Sequence, residues 1–128
     1  MTTTQAPAKP RTAMTLNKGL EDGESVTVAF LVAVGSAESG RETLMFLTKE
    51  ATRLVTKDVG RAVACEGCPS LESLLERYAA AGGRFLVCPI CFNARHLYDG
   101  DLPANAELGG SVQLWEWIGD EPVNSFSY

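Results

Sequence analysis

The chain has 128 residues, 45% hydrophobic and 21% charged, with a formal net charge of −5, which fits one soluble globular domain and leaves no room for a second. Its first twenty residues carry only Lys9, Arg11 and Lys18 as charges, so the remainder holds eight basic against sixteen acidic side chains; such a surface repels a phosphate backbone and argues against direct nucleic-acid binding. No apolar run approaches the roughly 20 residues that span a bilayer, and a chain of this length buries about two thirds of its unfolded surface unaided, so the four cysteines point to chemistry rather than to stapling an undersized core.

The opening MTTTQAPAKPRTAMTLNKGL lacks the continuous apolar core of a secretory signal. It reads as part of a flexible tail over residues 1–22 on a protein kept in a reducing cytoplasm. Its lack of acidic residues leaves a transit peptide as the alternative. After the acidic turn Glu21 to Glu24, the nearly continuous apolar run Val26 to Val34 predicts a strand buried on both faces, at the centre of a parallel sheet. Gly35 to Gly40 follows as a loop, and Leu44, Leu47, Ala51 and Leu54 recur at helical spacing. Gly60 to Ala64 reads as a short strand leading to Cys65-Glu-Gly-Cys68-Pro69. Ser70 then caps a helix bearing Leu71, Leu74, Leu75 and Tyr78, stopped by Gly82-Gly83.

Arg84 to Val87 reads as a strand that runs into Cys88-Pro-Ile-Cys91, with a short helix over Phe92 to Leu97. A turn at Asp99 to Asp101 precedes a helix capped by Ser111, carrying Leu114, Trp115 and Ile118 and ended by Gly119. Val123 to Tyr128 alternates as an edge strand. Strands separated by helices predict an α/β, three-layer sandwich with a mainly parallel central sheet.

The four sulfurs form C-x2-C-x19-C-x2-C, a spacing that suits a tetrahedral zinc site or an iron–sulfur cluster held by Cys65, Cys68, Cys88 and Cys91. The segment between the pairs, however, reads as helix and strand rather than as a zinc ribbon. Thiol chemistry is the second reading. A cysteine where a strand meets a helix is offered backbone N–H groups and the positive end of the helix dipole, which favour thiolate. Cys88 has that place, Arg95 supplies positive charge to a sulfur anion, and Cys91 serves as a resolving thiol. Alternatively, Cys88 and Cys91 form a dithiol redox pair, or the cysteines are inert core residues.

His96 tunes the thiol, ligates metal or is an ordinary surface histidine. Ser36, Glu38 and Ser39, read as the loop after the first strand, line the same pocket or a solvated turn. Trp115 and Trp117 face different sides of a helix, one toward the core and one toward a subunit interface. No Walker loop or G-x-G-x-x-G is present to support nucleotide binding.

The segment Gly83 to Leu97, with Leu102, Glu107 to Ser111 and Val123 to Phe126, resembles the DsrE/DsrF-like family, which includes TusD-type sulfur-relay subunits. The shared pattern is a strand, a cysteine at its carboxyl end, a short helix with an arginine, a glycine-containing segment, a helix and a last strand with an aromatic residue. Cys88 and Arg95 occupy the matching positions. Relatives often carry glycine where this chain has His96, and Cys65 and Cys68 lie outside the family pattern. The resemblance implies a YchN-like fold over residues 23–128, a homo-oligomer (trimer or hexamer) and sulfane sulfur held as a persulfide on Cys88. It further implies exchange with a TusA-like donor or acceptor protein, with no cofactor required. The chain is then a possible sulfurtransferase.

Overall fold

The computed structural model describes residues 9–128. Five strands form one all-parallel sheet in the order β4-β3-β2-β1-β5. They are β1 (Arg11–Leu16), β2 (Thr43–Leu47), β3 (Arg84–Val87), β4 (Ala106–Leu108) and β5 (Val123–Ser127). The helices are α1 (Gly23–Glu38), α2 (Leu71–Ala80), α3 (Pro89–Ala94) and α4 (Ser111–Ile118). From β1 to β4 each connection steps in the same direction across the sheet. Right-handed crossovers therefore put α1 and α2 on one face, and the return from β4 to β5 carries α4 over the other. The α/β fold with helices on both faces of a parallel sheet is thus the one expected.

Several elements differ from the sequence reading. The stretch expected to be a buried strand, Val26 to Val34, lies within helix α1. Its buried residues Val26, Ala29, Phe30, Ala33, Val34 and Ala37 recur at helical spacing, while Val28 and Leu31 fill the solvent face and mask that period. Asp22 fixes the start, accepting from Ser25 N at 3.1 Å and Ser25 Oγ at 2.7 Å, as an N-cap does. The helix runs on through the expected loop to Glu38.

The segment expected to be a tail supplies one of the sheet's three interior strands instead. Arg11–Leu16 pairs with both β2 and β5, and Thr12, Ala13, Met14 and Leu16 are buried. The expected tail boundary at residue 22 therefore fails within the described residues; the part of the expected tail over residues 1–8 lies outside them. The expected helix through Leu44 and Leu54 is strand β2 followed by a 3₁₀ segment, Lys49–Val55, because the compact run TLMFL pairs on both edges. Gly60 to Ala64 is no strand but overlaps another 3₁₀ turn, Val59–Ala62. Strand β4, a three-residue edge strand, was not anticipated.

Met14, Leu16, Met45, Leu47, Phe85 and Val87 from one face of the sheet form a common core with α1 and α2. Ser70 caps α2 by accepting from Ser73 N at 3.2 Å, as expected. Gly82, at φ +86, ends the α2 region in the left-handed conformation that glycine adopts without strain. On the other face Ser111 is the first residue of α4 rather than its cap. Gly110 precedes the helix, and its N–H donates to Gln113 Oε1 at 2.8 Å. No residue of α4 is fully buried, so neither tryptophan is a core residue. Trp117 is half-buried beneath the Arg11 guanidinium, 4.5 Å from its ring centroid, and Trp115 is 67% exposed.

Tyr78 shows how α2 is tied to the sheet. Its hydroxyl donates to Arg84 O at 2.7 Å and also lies 3.2 Å from Thr43 O. Burial pushes its phenol well above the usual tyrosine range. The fold therefore keeps this proton where the unfolded chain, with an ordinary value near ~10, gives it up. The resulting stabilisation is complete below pH ~10 and declines above it, by at most about 1.4 kcal/mol per pH unit. Urea unfolding between neutral and strongly alkaline pH should show that decline, and Tyr78→Phe should flatten it. An unchanged alkaline slope in the variant would assign the effect to other groups.

Candidate functional site

Because all strands run the same way, every segment that follows a strand emerges at one edge of the sheet. Backbone hydrogen bonds continue the ladder one residue past the strand ends. Asn17 N donates to Tyr128 O at 3.1 Å, Thr48 N to Leu16 O, Cys88 N to Leu47 O and Gly109 N to Val87 O, the last three each at 3.0 Å. Cys88 therefore stands in a row at the carboxyl edge between Gly109 and Thr48, where α/β sheets characteristically bind ligands.

Cys88 is the residue before α3, and its carbonyl accepts from Phe92 N at 2.9 Å. Pro89 at the first helical position supplies no N–H, and α3 has only six residues. The expected support from a helix N-terminus is accordingly small. Arg95, just past α3, donates from Nη1 to Cys91 O at 3.1 Å and from Nε to Glu50 Oε1 at 3.2 Å. Glu50 Oε2 also accepts from Arg53 Nε at 2.6 Å. The Arg53 hydrogen bond is the main cause holding the Glu50 carboxyl below the usual carboxylate range; partial burial opposes it and Arg95 reinforces it.

The helix expected through Leu44 and Leu54 gave Glu50 and Arg53 no link to Arg95, so the sequence reading missed this cluster. The missed signal is the end of the TLMFL strand, which brings the next residues to the same edge as Cys88. Cys88 and Cys91 are free and half-buried, whereas Cys65 and Cys68 are joined in a disulfide. Among the described residues no three His, Cys, Asp or Glu side chains come together to hold a metal ion. Cys65 and Cys68 are bonded to each other here, and the four sulfurs do not come together as one zinc or iron–sulfur donor set.

The expected pocket is also corrected. Ser36, Glu38 and Ser39 lie at the end of α1, which has carried the chain back to the amino edge. Ser36 Oγ is 2.7 Å from Thr43 Oγ1 at the start of β2, Glu38 pairs with Arg77 at 2.7 Å, and Ser39 O accepts from Lys9 Nζ. All three would share the edge of Cys88 only if residues 26–34 were a strand. His96 is exposed and at φ +53, a left-handed position that glycine fills without strain. A separate cleft of about 530 Å3, floored by Leu54, Val55, Leu75 and Phe85, does not include Cys88 in its lining.

Comparisons with known proteins agree with this architecture. The sequence pattern of the DsrE/DsrF-like family matches residues 11–122, so the chain belongs to the DsrE/DsrF-like family. Among solved structures it is similar to the ychN protein from E. coli, with a TM-score of 0.74 at 19% identity over 94% of this chain and 100% of that one. It is also similar to MTH1491, a protein of unknown function from Methanobacterium thermoautotrophicum, with a TM-score of 0.61 at 10% identity over 94% and 100% of the two chains. A conserved protein of unknown function from Bacteroides thetaiotaomicron, BT1422, gives a TM-score of 0.59 at 13% identity over 91% and 94%. At these identities the likeness concerns the fold, which is YchN-like. No curated protein sequence matches the chain.

Proposed function

We propose that this protein is a sulfur carrier that holds sulfane sulfur as a persulfide on Cys88. The observation that carries the reading is a free thiol at the family's cysteine position, standing in the carboxyl-edge row between Thr48 and Gly109. In loading, the Cys88 thiolate attacks the terminal sulfur of a donor persulfide, R–S–SH. The donor S–S bond breaks, R–S⁻ leaves and takes up a proton, and Cys88–S–SH forms without net oxidation. An acceptor thiolate removes the sulfur by the same step. Cys91, three residues on, offers a second exit by attacking the inner sulfur, expelling hydrosulfide and leaving a Cys88–Cys91 disulfide that an external thiol must reduce.

The donor or acceptor is a small TusA-like protein. The working form is a homo-oligomer, a reading supported by α4, whose Val112 and Trp115 are 63% and 67% exposed; apolar surface of this kind marks interfaces. Native mass spectrometry of the purified chain, with and without a persulfide donor, followed by peptide mapping, tests the proposal. One added sulfur per subunit on the Cys88 peptide is expected. No added sulfur with a competent donor, or sulfur mapped elsewhere, overturns it.

A further inference from the structure

We propose that Glu50 is a positioning residue that sets how much of the Arg95 charge is available to a sulfur anion on Cys88, an inference that rests on the carrier reading of Cys88. The backbone of Glu50 is held in place from two sides. Lys49, at φ +52, turns the chain out of β2. Gly19, in the loop after β1, packs so closely that a Cβ there would lie 2.6 Å from Glu50 O. From this anchored start the Glu50 carboxylate reaches both guanidinium groups, Arg53 at 2.6 Å and Arg95 at 3.2 Å.

Arg95 is thus clasped between Glu50 and the Cys91 carbonyl, with its side chain 22% exposed. Both contacts are electrostatic, and the remaining N–H donors of the guanidinium are suited to an anion. A thiolate or persulfide on Cys88 carries the same charge as Glu50, so the two compete for one cation. Arg53 decides the balance by taking part of the Glu50 charge for itself. The charged and titratable groups on β3, α3 and the elements packed against them are Arg84 at the far end of β3, Lys49, Glu50 and Arg53 after β2, Cys91, Arg95 and His96 on and after α3, and Glu107 on β4. The immediate ladder neighbours, Thr48 and Gly109, are neutral.

The test is the pH–rate profile for alkylation of Cys88 by iodoacetamide in the full chain with Cys91→Ser, read by peptide mapping. Glu50→Gln releases Arg95 and should shift the profile to lower pH, making Cys88 react about threefold or more faster at neutral pH. Arg95→Gln should shift it the other way, and in the double variant the Glu50→Gln gain should vanish, as coupling through Arg95 requires. Glu50→Asp, which keeps the charge on a shorter arm, should stay closer to the parent profile; if Glu50→Gln does not fold, a shift to lower pH in Glu50→Asp carries the test. An unshifted profile in the folded variants overturns the proposal, and so does simple additivity, which would mean that Glu50 acts on Cys88 directly. Alkylation needs no sulfur donor. A shifted profile without sulfur loading sinks the carrier reading alone, and loading with an unshifted profile sinks only the role of Glu50.

Discussion

Replacing Cys88 by serine is expected to abolish sulfur loading while leaving the thermal midpoint within about 2–4 °C of the parent. The fold does not depend on this sulfur. The backbone bonds that place the residue run from its N–H to Leu47 O and from Phe92 N–H to its own carbonyl, and serine keeps both. The side chain is only half-buried, and serine is a better residue than cysteine before a helix. The chemistry, in contrast, is lost outright. A serine hydroxyl is not ionised near neutral pH and has no sulfur to form the S–S bond, whereas a thiol is a ready nucleophile once deprotonated. Cys91→Ser should still load, because Cys91 acts only after the persulfide has formed, and should release less hydrosulfide. Mass spectrometry of the two variants after exposure to a persulfide donor separates them. Full loading of Cys88→Ser would move the site to Cys91 or to the Cys65 and Cys68 pair.

The Phe30→Ala variant should lose about 3–5 kcal/mol of stability, a large part of the roughly 5–15 kcal/mol that holds a domain of this kind together. Phe30 is fully buried and joins three elements through aromatic contacts. Its ring centroid lies 6.3 Å from that of Tyr78 on α2, edge to face, and 5.9 Å from that of Phe85 on β3, while those two rings are 4.9 Å apart. Removing the ring leaves a cavity between α1, α2 and the sheet, lined by bulky neighbours that cannot all close in. Leu31→Ala, one residue on, should cost no more than about 0.5 kcal/mol, because Leu31 is 44% exposed on the outer side of α1. The contrast also tests the secondary structure. In a strand buried on both faces the two substitutions would cost similar amounts, so urea denaturation giving equal losses would contradict the helix.

These two positions show where the sequence was legible. The second half of the domain read well because its signals are local. Ser70 before a helical period, paired glycines after it, RFLV before Cys88 and an alternating end segment each specify their element through capping, turn or pairing preferences over a few residues. The candidate residues Cys88 and Arg95 were read from the same segment. The first half misled because the residues carry two periods at once. Val26 to Val34 is apolar on every side, so a helix with a solvent-exposed Val28 and Leu31 looks like a doubly buried strand. Arg11–Leu16 contains only three strongly apolar residues, Ala13, Met14 and Leu16, and becomes an interior strand through pairing on both edges.

What the sequence determined by itself was the α/β class, the two cysteines after β3 and the arginine beyond them, because strand ends, short helices and cysteine positions are set by neighbours in the chain. Tertiary structure decided which groups meet at the edge. It paired β1 with β2 and β5, sent the end of α1 and with it Ser36, Glu38 and Ser39 to the opposite edge, and separated the two cysteine pairs into a disulfide and two free thiols. It also brought Glu50 and Arg53 to Arg95 across 45 residues of chain. No local preference encodes such contacts; they arise because parallel strands discharge all their carboxyl ends on one side, where groups distant in sequence come to share a single field.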